Sequence, residues 1–206
     1  MSDTTMTQTK PKTRKMDIRM LTGTGMLSAI AYALMFFDFS VPFMPDFIKM
    51  DLSELPALIG SFAYGPIAGV IICLVKNLIH LTITSTGGVG ELSNFLLGAS
   101  FVLVAGFVYR WKKNRKSALI GSIAGALVMA VFSVFSNYFL VYPIYYNFMP
   151  KETILAAYQV IFSGVDNILE CLLVFNMPFT FVKGLLSVVI TFLIYKRLSP
   201  ILKGTH

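Results

Sequence analysis

Lysine and arginine cluster at three places in a chain otherwise built of long apolar runs. One cluster precedes the first run (Lys10, Lys12, Arg14, Lys15, Arg19). A second separates two central runs (Arg110, Lys112, Lys113, Arg115, Lys116), and a third follows the last (Lys196, Arg197, Lys203). Apolar runs of about 20 residues are long enough to cross a bilayer as helices, and basic loops stay on the cytoplasmic side. The pattern therefore restricts fold class and topology together. At 56% hydrophobic and 13% charged, the composition is that of a membrane protein. The net charge of +7 is explained by the flanking clusters. No basic face interleaved with aromatics points to nucleic acid.

Residues 1–15 are polar and rich in Thr and Lys, which predicts a disordered cytoplasmic tail. Residues 16–206 then form one transmembrane domain. Arg19 followed by Ala29, Ala31 and Ala33 has some features of a cleaved leader, but Leu34 to Phe37 prolong the stretch and favour a retained helix. The apolar sequence from Leu55 to about Ile83 is too long for one span, and Gly65-Pro66 interrupts it with a turn signal. Charge decides between a kink and a reversal. A reversal gives spans near 20–37, 54–64, 67–86, 93–111, 117–147 and 173–195, with all three basic clusters on one side. A kink puts the second and third clusters opposite the first. The expectation is an all-α integral membrane protein of six helices with both termini cytoplasmic and a short second helix. Acidic residues fit this topology, since Asp38, Asp46, Asp51, Glu54, Glu91, Glu152, Asp166 and Glu170 all fall toward the outer side.

Polar residues inside such runs are costly and need a reason. Lys76 and His80 share a face of the third helix. Lys76 either pairs with an acid or lines a polar cavity, and His80 either sits at the interface or joins that cavity. The connection Thr84-Ser-Thr-Gly-Gly-Val-Gly-Glu91 is either a plain turn or a backbone surface whose N–H groups face a flat ligand. It is no phosphate loop, because the G-x-x-x-x-G-K-[ST] pattern occurs nowhere in the chain. Asn94 and Asn137 need partners, from another helix or from a ligand. Lys183 either snorkels to the interface or enters an outward cavity. Tyr138, Tyr142, Tyr145 and Tyr146 form either an aromatic belt or a stacking wall. Ala29 and Ala33, with Gly25 and Ser28 nearby, allow close helix approach on the first span. Two distant cysteines and two histidines make no catalytic or metal set.

Five segments in order resemble the riboflavin-specific substrate-binding subunit of bacterial energy-coupling-factor (ECF) transporters. They are Asp51–Leu58, Gly65–Gly69 leading to Val75-Lys76-Asn77, Val89-Gly90 with Asn94–Phe101, Asn137–Phe139 with Pro143, and Pro178–Gly184. The resemblance implies a six-helix subunit without its own ATPase and without a cofactor. It implies riboflavin as the transported ligand, bound in a cavity open to the outside. The implied partners are a transmembrane coupling subunit, met by Ala29 and Ala33, and a pair of cytoplasmic ATPases. Carried over by motif, the ligand-binding candidates are Lys49, Gly90 beside Glu91, Asn137, Thr180 and Lys183. Thr180 stands where the family has asparagine, so a hydroxyl replaces an amide edge. A related subunit for another vitamin, or a membrane scaffold or sensor without a small ligand, are the other readings.

Overall fold

The computed structural model describes residues 18–203 apart from residue 85; the tail expected at 1–15 lies outside them. Seven helices follow one another: α1 (Ile18–Met35), α2 (Glu54–Tyr64), α3 (Pro66–His80), α4 (Val89–Trp111), α5 (Arg115–Tyr145), α6 (Lys151–Gln159) and α7, which begins at Ile168 and ends at Lys203. Between α1 and α2 a two-stranded antiparallel hairpin pairs β1 (Phe39–Ser40) with β2 (Lys49–Met50) in the register Phe39 to Met50 and Ser40 to Lys49. The hairpin and α6 are additions to the helices expected from hydropathy. Both are too short or too polar to give an apolar run.

Among the described residues, five helices are long and apolar enough to cross a membrane: α1, α3, α4, α5 and α7. Their outward faces carry large apolar side chains in helical register, such as Ile67, Leu74 and Leu78 on α3 and Ile120, Ile123 and Leu127 on α5. In water such faces would drive aggregation, whereas hydrocarbon solvates them. α2 is different. At about 1.5 Å per residue its 11 residues extend only about 16 Å, and every residue from Glu54 to Phe62 is buried. It packs against α1, α3, α4 and α7 at the centre of the bundle. Protein, rather than lipid, surrounds its backbone.

Gly65-Pro66 is a reversal. Lys76 Nζ lies 3.1 Å from Glu54 Oε1, whereas an unbroken helix would separate these residues by about 33 Å. Pro66 opens α3, where its missing N–H costs nothing. Gly65 takes φ 108°, a conformation that glycine alone adopts without strain. Elsewhere α4 and α5 approach closely: a Cβ on Gly125 would come within 2.7 Å of the Phe101 carbonyl oxygen.

α5 and α7 each contain one π-helical turn, at Asn137–Val141 and Leu172–Asn176. A π turn adds a residue to the helix and rotates the face presented beyond it by about 100°. α7 starts at Ile168, earlier than the span expected at 173. Ile168, Cys171 and Leu172 pack with Ile154 and Tyr158 of α6 in a cluster separate from the main core around Leu58, Ile72, Phe101 and Met129.

Candidate functional site

A cavity of about 340 Å³ opens at the end of the bundle that carries the hairpin, away from the basic turn between α4 and α5. Four structural units wall it. These are the segment from Asp38 to Asp51, the start of α4, the end of α5 with its π turn, and α7 between Asn176 and Lys183, with Met35 of α1 and His80 of α3 beside them. All six residues expected at a ligand site line it: Lys49, Gly90, Glu91, Asn137, Thr180 and Lys183. They come from four separate stretches of chain, so only the fold brings them together.

Their roles are less uniform than the sequence suggested. Lys183 does not extend a free ammonium. Its Nζ donates to Asp51 Oδ2 at 2.9 Å and lies 3.4 Å from Glu54 Oε2. Lys76 donates to Ser53 Oγ and to Glu54 Oε1. Two ammonium groups and two carboxylates thus form a buried, electrically balanced quartet, of which Asp51 and Lys183 line the cavity while Lys76 and Glu54 are buried away from it. The quartet ties the segment before α2 to α3 and α7. Burial opposes the charge on Asp51, but Lys183 and Lys76 outweigh it and hold its carboxyl well below the usual carboxylate range. The quartet accounts for Lys76, whose pairing with an acid was one of its two expected fates.

Glu91 serves the loop that precedes it. Its Oε2 accepts from Thr84 Oγ1 at 2.9 Å and Thr86 Oγ1 at 3.2 Å, and its Oε1 lies 2.7 Å from His80 Nδ1. Of the two readings of the glycine-rich connection, a plain turn or a ligand-facing backbone, the hydrogen bonds of Gly88 and Gly90 match the first. Gly88 N–H donates to Thr84 Oγ1 and Gly90 N–H to Thr86 Oγ1. The loop is held from within, leaving glycine's small profile at the cavity rim. α4 begins at Val89, four residues before the expected start, and the residue just ahead of it, Gly88, is left-handed.

Lys49 sits at the mouth, half-exposed and 3.0 Å from Asp38 Oδ2. Asn137 opens the π turn of α5, and its Oδ1 accepts from Ser93 Oγ at 3.1 Å. Of the four tyrosines considered as a stacking wall, only Tyr142 and Tyr145 line the cavity; Tyr138 is exposed and packs edge-on against Phe139. Sequence reasoning overlooked Asn176 and Tyr158. Asn176 lies four residues before Thr180 and seven before Lys183, so all three share a face of α7. That spacing was readable. Tyr158 belongs to α6, which carries no hydropathy signal, and burial pushes its phenol well above the usual value. Among the described residues no group of His, Cys, Asp and Glu is placed to hold a metal.

Comparison with known proteins fits this architecture. The family model for the ECF transporter substrate-specific component matches residues 19–195. The chain is a member of that family. This S component is 37% identical over 182 residues to the Staphylococcus aureus (strain TCH60) protein named riboflavin transporter RibU, covering 87% of this chain and 89% of that one. It is 30% identical over 190 residues to the Bacillus subtilis (strain 168) protein named riboflavin transporter FmnP, covering 90% and 94%. Its fold is similar to a solved S component of a bacterial ECF transporter, with TM-score 0.71 and 35% identity over 90% of this chain and 98% of that one. The S component is accordingly a multi-pass membrane protein of the transport class.

Proposed function

We propose that this S component binds riboflavin in the hairpin-end cavity and serves as the substrate-specific subunit of an ATP-driven vitamin uptake transporter. The observation that carries the reading is the single cavity lined by all six residues singled out from the sequence. Its character suits the ligand. Apolar and aromatic side chains such as Phe47, Leu97, Met129 and Tyr145 offer surface to a flat ring, while Asn94, Asn137, Asn176 and Thr180 offer hydrogen bonds to a polar edge and a hydroxylated tail. The quartet that reaches the cavity through Asp51 and Lys183 carries no net charge, as befits a neutral ligand. Relatives named riboflavin transporters support the same choice.

In this reading α2 is a short sixth crossing element. The basic clusters keep both termini and the α4–α5 turn in the cytoplasm, and the cavity opens outward. The coupling subunit and a pair of ATPases supply the energy. α1 presents Gly25, Ala29 and Ala33 outward while Leu27 and Ala31 point into the bundle. That exposed strip lets another helix approach closely.

Purification in detergent from cells grown in rich medium tests the assignment. The protein should be yellow, carry riboflavin by mass spectrometry and, once stripped, rebind it in preference to thiamine, biotin or folate. A colourless protein that binds another vitamin, or none, refutes it.

A further inference from the structure

Two amides in the cavity are oriented in the same way by hydroxyl groups. Asn137 Oδ1 accepts from Ser93 Oγ. Asn176 Oδ1 accepts from Tyr158 Oη at 2.6 Å, and Tyr158 Oη lies 2.7 Å from Tyr142 Oη. Tyr158 has one hydroxyl proton, and it goes to Asn176. Tyr142 must therefore donate to Tyr158. The result is a directed relay from Tyr142 through Tyr158 to the Asn176 carbonyl. Tyr158 is completely buried, and Tyr142 and Asn176 nearly so. Phe47 and Phe175 pack on the Tyr158 ring and leave it little room to turn.

The two asparagines also share a backbone setting. Asn137 is the first residue of the π turn in α5, and Asn176 the last residue of the π turn in α7. In α7 the widened turn lets Ile168, Cys171 and Leu172 bury against α6 while Asn176, Thr180 and Lys183 line the cavity. The hydroxyl on its oxygen fixes each amide, and its NH2 group, which donates to no residue among those described, is left for a ligand.

We propose that Asn176 reads the ligand as a hydrogen-bond donor, its amide fixed by the Tyr142–Tyr158 relay, and that with Asn137 it forms a pair of pre-oriented donors for an acceptor edge of the flavin ring. The assignment rests on the riboflavin reading above. It makes Tyr158 a positioning residue and gives α6 a task, since that helix delivers a phenol to a site that none of the spanning helices could equip alone. A ligand with donors where the flavin ring has acceptors would leave two buried NH2 groups unpaired, and the cavity rejects it on that ground.

The test is riboflavin titration of the full-length protein in detergent, read by quenching of flavin fluorescence, together with the visible spectrum of the bound flavin. Asn176→Asp keeps an acceptor for Tyr158 but removes the donor. It should weaken binding by about 10- to 100-fold, the effect of a lost buried bond, and shift the bound flavin's absorption band. Tyr158→Phe should weaken binding by about 3- to 10-fold, yet add nothing in an Asn176→Ala background, because its effect passes through that amide. A Tyr158→Phe loss of full size in that background is a packing effect and overturns the relay. Thermal unfolding checks each variant, and if Asn176→Asp does not fold, Asn176→Ala takes its place with the same expected loss. A wild type that binds beside an Asn176 variant of equal affinity overturns this assignment alone. A wild type that does not bind riboflavin overturns the functional reading with it.

Discussion

The buried quartet makes a sharp prediction about stability. Asp51, Glu54, Lys76 and Lys183 contribute two negative and two positive charges with almost no access to water. Lys183→Met leaves two carboxylates facing one ammonium. Asp51→Asn leaves a surplus ammonium instead. Breaking a buried pair from one side costs about 3–5 kcal/mol, because the abandoned charge stays desolvated. For a protein of this size that corresponds to a fall in Tm of roughly 6–20 °C. The double variant restores neutrality, and neutral replacements of buried pairs are often tolerated. Its loss should fall short of the summed single losses by about 3 kcal/mol or more. Thermal unfolding of the four proteins in one detergent, followed by intrinsic fluorescence, measures this directly. Single variants that unfold like the wild type, or a double variant whose loss equals the sum, would refute the claim that these charges act as one balanced unit.

Three further predictions follow from particular contacts. Gly65→Ala forces a side chain onto a residue at φ 108° and should cost about 1–2 kcal/mol in thermal unfolding; an unchanged Tm would mean the turn relaxes freely. Ala29→Trp with Ala33→Trp should abolish co-purification with the coupling subunit while riboflavin affinity stays within about 2-fold, a difference of about 0.4 kcal/mol. Lost ligand binding in that variant would place the α1 strip in the cavity's support instead. The pH dependence follows from Asp51, whose carboxyl is held below its ordinary range in the folded protein. A depressed folded value means its contribution is complete above about pH 4, the unfolded value, and is lost as pH falls through the lower folded value. Stability should therefore be insensitive to Asp51 between pH 5 and 8 and decline in stronger acid. Asp51→Asn should flatten that acid limb, and an unchanged limb would assign it to other carboxylates.

The spanning helices were legible because hydropathy and helix length are local properties. Long apolar runs and the Gly65-Pro66 interruption are visible without any tertiary contact, and the expected boundaries fall within a few residues of α1, α2 and α5. α6 was not legible. Its burial rests on Ile154 and Tyr158 alone, too weak a pattern to stand out beside membrane spans. The π turns were hidden for a related reason: both lie within continuous apolar sequence, and their shifted register is imposed by what packs around them.

The candidate site divides in the same way. Composition, charge placement and five ordered motifs determined the class of protein, the apolar spans and six of the residues that line the cavity, since each depends on residue type and spacing along the chain. Only the tertiary structure decided what those residues do. It turned Lys183 and Lys76 toward Asp51 and Glu54, committed Glu91 to Thr84, Thr86 and His80, and joined Asn176 to a tyrosine of another helix. The physical reason is that a buried polar group takes its role from the partner that satisfies it. Those partners lie up to 132 residues away along the chain, beyond the reach of any sequence pattern.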